Sequence, residues 1–399
     1  MNMKIGYAQT IITPYLDQPV YLAGFGNNRR AEDIHDDLYA RALAISASEM
    51  TLVLCALDLI GFFRPEALQV AERLKVSTEG STISNLQVVV ASTHTHHGPD
   101  TMGLWGPSDR LSGVNPSYQE SLKDKIVATL QLALQKLVTV CAVKMTSVHV
   151  PGVAKNARNP EIVDDELTLL QFLAPEDKPL ATLFNFPCHP EVLWEHNPHL
   201  TADYPGYLRD EVEKLSGAPC LFFSGALGGM MTPDVKDHSF AEAEWMGKKL
   251  AEEGLQALNA VPGEQVSSVS LAKKEIAPKL TNPLYKIALR RRLLPDVRDR
   301  QGRVHSEVNL IKLGEAWFAT VPGELLPKLG LQIKADLKAA GARVAGVIGL
   351  ANDELGYILP VEDFKYPWNP FKPGKHYEET KSIGKEIGPK IMEAVRGLL

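Results

Sequence analysis

The chain has 399 residues, 45% hydrophobic and 23% charged, with a formal net charge of -6. That length allows one large domain or two ordinary ones, and the composition is that of an ordinary globular chain. The negative balance argues against a nucleic-acid partner, and no apolar run approaches the ~20 residues that span a bilayer.

The four cysteines, Cys55, Cys141, Cys188 and Cys220, are far apart and form no Cys-x-x-Cys pair. No disulfide framework is implied, and buried free thiols are expected. Residues 1–26 lack a basic-then-apolar leader pattern, so a cytoplasmic location is expected.

In chain order, residues 4–8 read as an early strand, ended by Thr13-Pro14. Residues 51–57 form a buried strand that ends on Asp58, an acid that needs a partner. Pro65 opens a helix carrying Leu68, Ala71 and Leu74. Residues 88–91 are β-branched and apolar, another buried strand. They run into Ser92-Thr93-His94-Thr95-His96-His97-Gly98-Pro99, where Gly98-Pro99 break regular structure. Alternation along an extended segment puts His94 and His96 on one face and His97 on the other. Two imidazoles projecting together from a strand end suit a divalent metal, most naturally zinc. A polar loop whose histidines cap backbone groups is the competing reading.

Residues 117–138 predict a long amphipathic helix, and residues 142–150 alternate like a strand. Asn156 to Pro160 is a polar loop. Residues 167–172 and 181–186 predict neighbouring strands, the second ending in Pro187-Cys188-His189-Pro190. A helix follows Asp203 and runs to about Leu215. Residues 220–223 form a buried strand that opens into a glycine-rich turn ending Gly229-Met230-Met231-Thr232-Pro233. Residues 242–261 predict a helix and 267–276 an edge strand. Residues 278–302 carry the least pattern, and Arg290-Arg291-Arg292 within them reads as a solvated helix face. Residues 307–313 and 317–321 predict a hairpin, followed by Pro322-Gly323-Glu324 and a helix to Ala340. Residues 344–350 predict a strand, and residues 382–399 a closing helix. There is no internal sequence repeat. The fold class is α/β: a layered single catalytic domain over 1–399 with mixed sheets.

His94, His189, Glu324 and Tyr357 each lie a few residues past an apolar strand. Ligands in α/β sheets bind at the carboxyl ends of strands, and two imidazoles with a carboxylate make a normal catalytic zinc set. Spacing alone leaves open whether these residues meet. His189 beside Pro190 also suits a buried histidine with satisfied nitrogens. Glu324 also suits a helix start, and Tyr357 suits packing.

The segment Thr93 to Pro99 resembles the Thr-His-Thr-His-Ser-Gly-Pro motif of the neutral/alkaline non-lysosomal ceramidases. Residues 36–42 resemble the family's segment ending Leu-Tyr-Ser/Ala-Arg-Ala, and Leu57-Asp58 its Ile-Asp. Phe186 to Pro190, Ala202 to Gly206, Pro322-Gly323-Glu324 and Gly356-Tyr357 match later motifs in the right order. The resemblance implies a Zn2+ site of His94, His189, Glu324 and Tyr357, and cleavage of an N-acyl amide. It implies that His96 faces the bound carbonyl and that Arg158 contacts substrate. His97 is a further substrate-binding candidate, Tyr357 a catalytic one, and Asp58 and Asp203 are expected behind the ligands. The family's nucleophile turn, Gly-Asp/Asn-x-Ser-Pro, reads Gly229 to Pro233 here, with Thr232 in the serine position and Met230 in place of the polar neighbour. A C-terminal immunoglobulin-like domain is not expected.

The expected function is therefore a zinc-dependent, ceramidase-like amidohydrolase using activated water or a hydroxyl nucleophile. A zinc hydrolase of a small acyl ester and a non-catalytic binding protein of the same fold are the alternatives. The partner expected is a small-molecule N-acyl substrate, with neither nucleic acid nor a transmembrane segment, and a homo-oligomer is compatible with the sequence. Apolar rim candidates are few: Leu104, Trp105 and the segment Pro367 to Phe371. Burying three such side chains gives roughly 5–8 kcal/mol, thin for extracting a two-tailed lipid. A substrate smaller or more soluble than membrane ceramide is expected.

Overall fold

The apolar runs pair into three main sheets, and the three are built the same way. A computed structural model describes residues 3–47, 49–80, 83, 85–365 and 374–399. In the first sheet Lys4–Ile11, Tyr39–Ala47 and Met50–Leu57 are antiparallel neighbours, and the helix α1 (Arg64–Ser77) crosses over to the parallel strand Leu86–Ser92. A second helix, α2 (Pro116–Gln135), follows. The second sheet repeats this with Ala142–His149, Glu166–Leu173 and Pro179–Phe186, the crossover helix α3 (Tyr204–Ser216) and the parallel strand Cys220–Ser224; α4 (Phe240–Asn259) follows. The third uses Val269–Ile276, Ser306–Leu313 and Ala316–Thr320, with the short helix α5 (Pro283–Arg290) inserted after its first strand. Its crossover helix is α6 (Pro327–Ala339) and its parallel strand Val344–Ile348. The single turn α7 (Tyr377–Thr380) and then α8 (Ile387–Arg396) follow. A topological repeat is thus present without a repeated sequence, because each unit needs only the alternation of its own apolar residues.

One face of every sheet enters a shared core. Ile5, Leu43 and Leu52 meet Phe172, Leu183 and Phe223 of the second sheet and Ile311, Phe318 and Val344 of the third. The outer faces carry α1 and α2, α3 and α4, and α6 and α8 respectively. This arrangement aims the carboxyl ends of the parallel strands at one place, and the loops after them carry the site.

Several local expectations shift. In α1 the buried face is Ala67, Val70 and Leu74, and Leu68 is exposed. The closing helix begins at Ile387, with residues 382–386 forming a turn before it. Three of the cysteines are buried, but Cys141 is exposed because it lies in the turn entering the second sheet. The α5 helix buries none of its residues, in keeping with the solvated basic run at its end, where Arg291 reaches Asp109 at 3.6 Å. Of the rim candidates, Leu104 and Trp105 are half-buried, and residues 367–371 lie outside the described residues. No helix among the described residues is long and apolar enough to cross a membrane.

Candidate metal centre

The histidine loop is tied to all three units by its backbone. The Ser92 amide donates to the Leu350 carbonyl, and the Thr93 and His94 amides donate to Leu57 and Leu59. The His96 amide donates to Pro190, and the Ser224 hydroxyl donates to the Thr93 carbonyl at 2.6 Å. The segment past Ser92 is not an extended strand: His94 has φ +70. The grouping expected from alternation still results, since His94 and His96 have ring centroids 5.1 Å apart. His97 instead faces away.

The His94 and His189 rings each have Nδ1 on a backbone carbonyl, Ile60 at 2.5 Å and Met231 at 2.9 Å. Those contacts fix the Nδ1 protons, so that in the neutral ring the Nε2 lone pair is the one free for a metal. Both Nε2 atoms point at one oxygen of Glu324, Oε2, at 3.5 Å from His94 and 3.2 Å from His189. Ligand atoms ~2.0–2.1 Å from a tetrahedral zinc stand about 3.3–3.4 Å from one another. The donor set and its spacing therefore fit zinc. Burial works against charge on Glu324, but His94 and His189 hold its carboxyl down at about 2. Burial likewise opposes charge on His189, and the Glu324 contact overrides it, raising the imidazole above its usual value.

Glu324 and Tyr357 are held in register by a short parallel pairing, Glu324–Leu325 against Tyr357–Ile358. The Glu324 amide donates to the Gly356 carbonyl at 3.1 Å. Gly323 permits that approach: it has φ +153, and a Cβ there would sit 2.6 Å from the Gly356 oxygen. The Tyr357 hydroxyl lies 3.4 Å from that of Tyr377. Burial and the nearby Glu324 carboxylate push Tyr357 well above the usual phenol range.

His96 completes the cluster. One nitrogen from each of His94, His96 and His189 lies within 4.8 Å of the others, the one such histidine group among the described residues able to hold an ion. Neither His96 ring nitrogen has a hydrogen-bond partner. Thr232 sits in Met231–Pro233, the segment whose Met231 carbonyl holds His189. Its side chain is beside Glu191, close enough to bias that carboxyl yet outside hydrogen-bond geometry.

Other sequence candidates lie one layer back. Arg158 is engaged by Glu378 at 2.6 Å and by Glu379 at 2.9 and 3.0 Å, so its guanidinium anchors the turn that carries Tyr377. His97 is fully buried, with Nε2 3.5 Å from Asp203 and Nδ1 3.4 Å from Arg29. It is not brought to the cluster, because the turn at residues 96–98 carries its ring to the start of α3. Asp203 caps α3, accepting from the Tyr204 amide at 2.7 Å, and burial lifts its carboxyl to about 7. Asp58 pairs with Arg209 at 2.7 and 2.9 Å and accepts from the Tyr39 amide and the Thr93 hydroxyl. It touches no candidate ligand histidine and supports the loop through Thr93. The residues missed are Glu191 and Tyr377. Glu191 offered the same signal as Asp58, an acid inside an apolar stretch; Tyr377 offered none.

The profile of the neutral/alkaline non-lysosomal ceramidases, N-terminal region, matches residues 4–220. That is more than half of the chain, and the chain belongs to this family. The crystal structure of neutral ceramidase from Pseudomonas aeruginosa shares 18% identity and superposes with a TM-score of 0.79 over 100% of this chain and 74% of that one. A ceramidase complexed with C2 gives a TM-score of 0.80 at 18% identity, covering 100% and 75%. These structures share the fold. No curated protein matches the chain at the level of sequence.

Proposed function

We propose that the chain is a zinc-dependent amidohydrolase that cleaves the amide of a small N-acyl compound. The observation that carries this reading is the convergence of the two Nε2 atoms on Glu324 Oε2. Membership of a ceramidase family supports the hydrolase class. His94, His189 and Glu324 would hold the ion, with Tyr357 paired in register beside Glu324. Bound there, zinc supplies Lewis acidity, polarising an acyl carbonyl and acidifying water at the site.

The chain supplies the rest. The Tyr357 and Tyr377 hydroxyls lie beside each other and would donate toward the oxygen that gains negative charge as the amide carbon becomes tetrahedral. Thr232 orients the attacking water or attacks in its place. Arg158 keeps Tyr377 in position through Glu378 and Glu379. An ester of similar size would meet the same groups, so ester cleavage is the second reading. The small apolar rim supports a substrate more soluble than membrane ceramide. The test is catalytic efficiency on short N-acyl amides, short esters and long-chain ceramide in detergent, with zinc-loaded protein. Preference for short amides is expected; clear preference for long-chain ceramide overturns the substrate assignment, and no hydrolysis of any of them overturns the reading itself.

A further inference from the structure

A cavity of about 240 Å³ lies outside the metal centre, between the start of α1 in the first unit and α5 of the third. Its walls are apolar: Phe63 and Leu68 on the α1 side, Leu289 and Leu294 on the α5 side, and Leu355. Leu68, exposed on α1, belongs to this lining and not to the core under the helix. Since an apolar cavity of about 150 Å³ takes benzene, this one takes roughly ten non-hydrogen atoms.

One acid in the lining is left over. Glu354 is 4% exposed; its Oε1 accepts from the Gly356 amide at 2.9 Å, and its Oε2 is buried with no hydrogen-bond partner. Leaving such an oxygen unpaired is costly. Burial and the Glu324 carboxylate push the Glu354 carboxyl up, and a cation at Oε2 would offset that. The other charged groups of the lining are engaged elsewhere. Arg298 holds Asp296 at 2.8 and 2.7 Å, His305 contacts Asp299 at 2.9 Å, and Arg64 reaches Glu307 at 3.5 Å. The Asp353 carboxylate accepts from the Arg64 and Glu354 amides.

We propose that this cavity is a second ligand site, for an amphipathic amine of roughly eight carbons. The alkyl or aryl body fills the apolar lining, and the ammonium donates to Glu354 Oε2, a charge-assisted bond. The site is separate from the metal centre but close behind it. The Tyr285 hydroxyl, in the cavity wall, donates to the Lys381 carbonyl at 2.9 Å, and the Tyr357 amide donates to that same carbonyl at 3.2 Å. Tyr285 also packs on Gly356, where a Cβ would fall 2.4 Å from its hydroxyl. Cleavage of an N-acyl amide releases an amine, so the reaction proposed above is one source of the ligand; the site itself does not rest on that reading.

The experiment is isothermal titration calorimetry on the full chain as purified, with n-octylamine, n-octanol and octanoate as probes. Octylamine should bind at least about tenfold tighter than octanol or octanoate. Glu354→Gln keeps the size and removes the charge; it should weaken octylamine by about tenfold or more and leave octanol unchanged. Leu289→Trp fills the cavity from α5, a helix that buries none of its residues, and should abolish octylamine binding. Octanol or octanoate binding as tightly as octylamine overturns the proposal, as does octylamine binding unchanged in either variant, or no binding of octylamine at all. Should Glu354→Gln fail to fold, the three probes and Leu289→Trp still decide. Octylamine binding here without hydrolysis of any amide or ester would sink the proposed function alone, and hydrolysis without octylamine binding would sink the second site alone.

Discussion

Replacing Asp58 by Ala tests how the buried scaffold holds the histidine loop. Asp58 is fully buried and accepts two bonds from Arg209, at 2.7 and 2.9 Å, plus one from the Tyr39 amide at 2.9 Å. Removing one partner of a buried pair costs about 3–5 kcal/mol, because the other charge is left uncompensated. Unfolding entropy near 2.1 cal/mol/K per residue, over 399 residues, comes to roughly 0.8 kcal/mol/K. The melting temperature should therefore fall by about 4–6 °C, read by differential scanning calorimetry. Because Asp58 also accepts from the Thr93 hydroxyl, next to His94, zinc affinity should fall about tenfold as well. The double variant Asp58→Leu/Arg209→Met removes both charges and should recover most of the melting temperature. A single variant melting within about 1 °C of wild type would refute the reasoning, since the pair would then hold nothing.

Further predictions follow from the same geometry. Thr232→Ala should keep measurable activity and full zinc content, while His94→Ala should lose nearly all activity; equal loss in both, with zinc retained in the Thr232 variant, would make the hydroxyl the nucleophile. Arg158→Ala should free the turn that carries Tyr377 and lower kcat without emptying the metal site; a change confined to KM would instead return Arg158 to direct substrate contact. Burial disfavours charge on Glu166, yet Lys334, Lys338 and the Ser147 hydroxyl hold its carboxyl at about 2. A depressed carboxylate stabilises the fold above its ordinary pKa near 4.5 and loses that contribution as pH falls toward 2. Glu166→Gln should therefore flatten the acid limb of the stability curve in that window, measured by urea denaturation at stepped pH.

Much of the fold was legible because burial writes itself into apolar runs. The strands, the hairpin over residues 307–321 and five long helices fall near their expected places, and the placement of His94, His189 and Glu324 just past strands anticipates their convergence. The threefold topology was not legible: neighbouring pairs could be read, but nothing in the residues marks that three such units, each with its own parallel crossover, share one core. The candidate ligands were readable because each sits at a strand end. The layer behind them was less so. His97 and Asp203 look like site residues by type, but the turn after His96 sends them to the start of α3. Arg158 looks like a substrate contact until Glu378 and Glu379, more than two hundred residues later, occupy it. Glu191 shows the reverse case: a lone acid in Pro190-Glu191-Val192-Leu193 was visible, and only the fold shows that it faces His96.

Anomalous scattering at the zinc edge, on crystals of the zinc-loaded protein, tests the central claim most directly. The account predicts one strong peak within coordination distance of His94 Nε2, His189 Nε2 and a Glu324 oxygen, absent from the His94→Ala/His189→Ala variant. A peak elsewhere in the chain, or no peak after zinc loading, would contradict it.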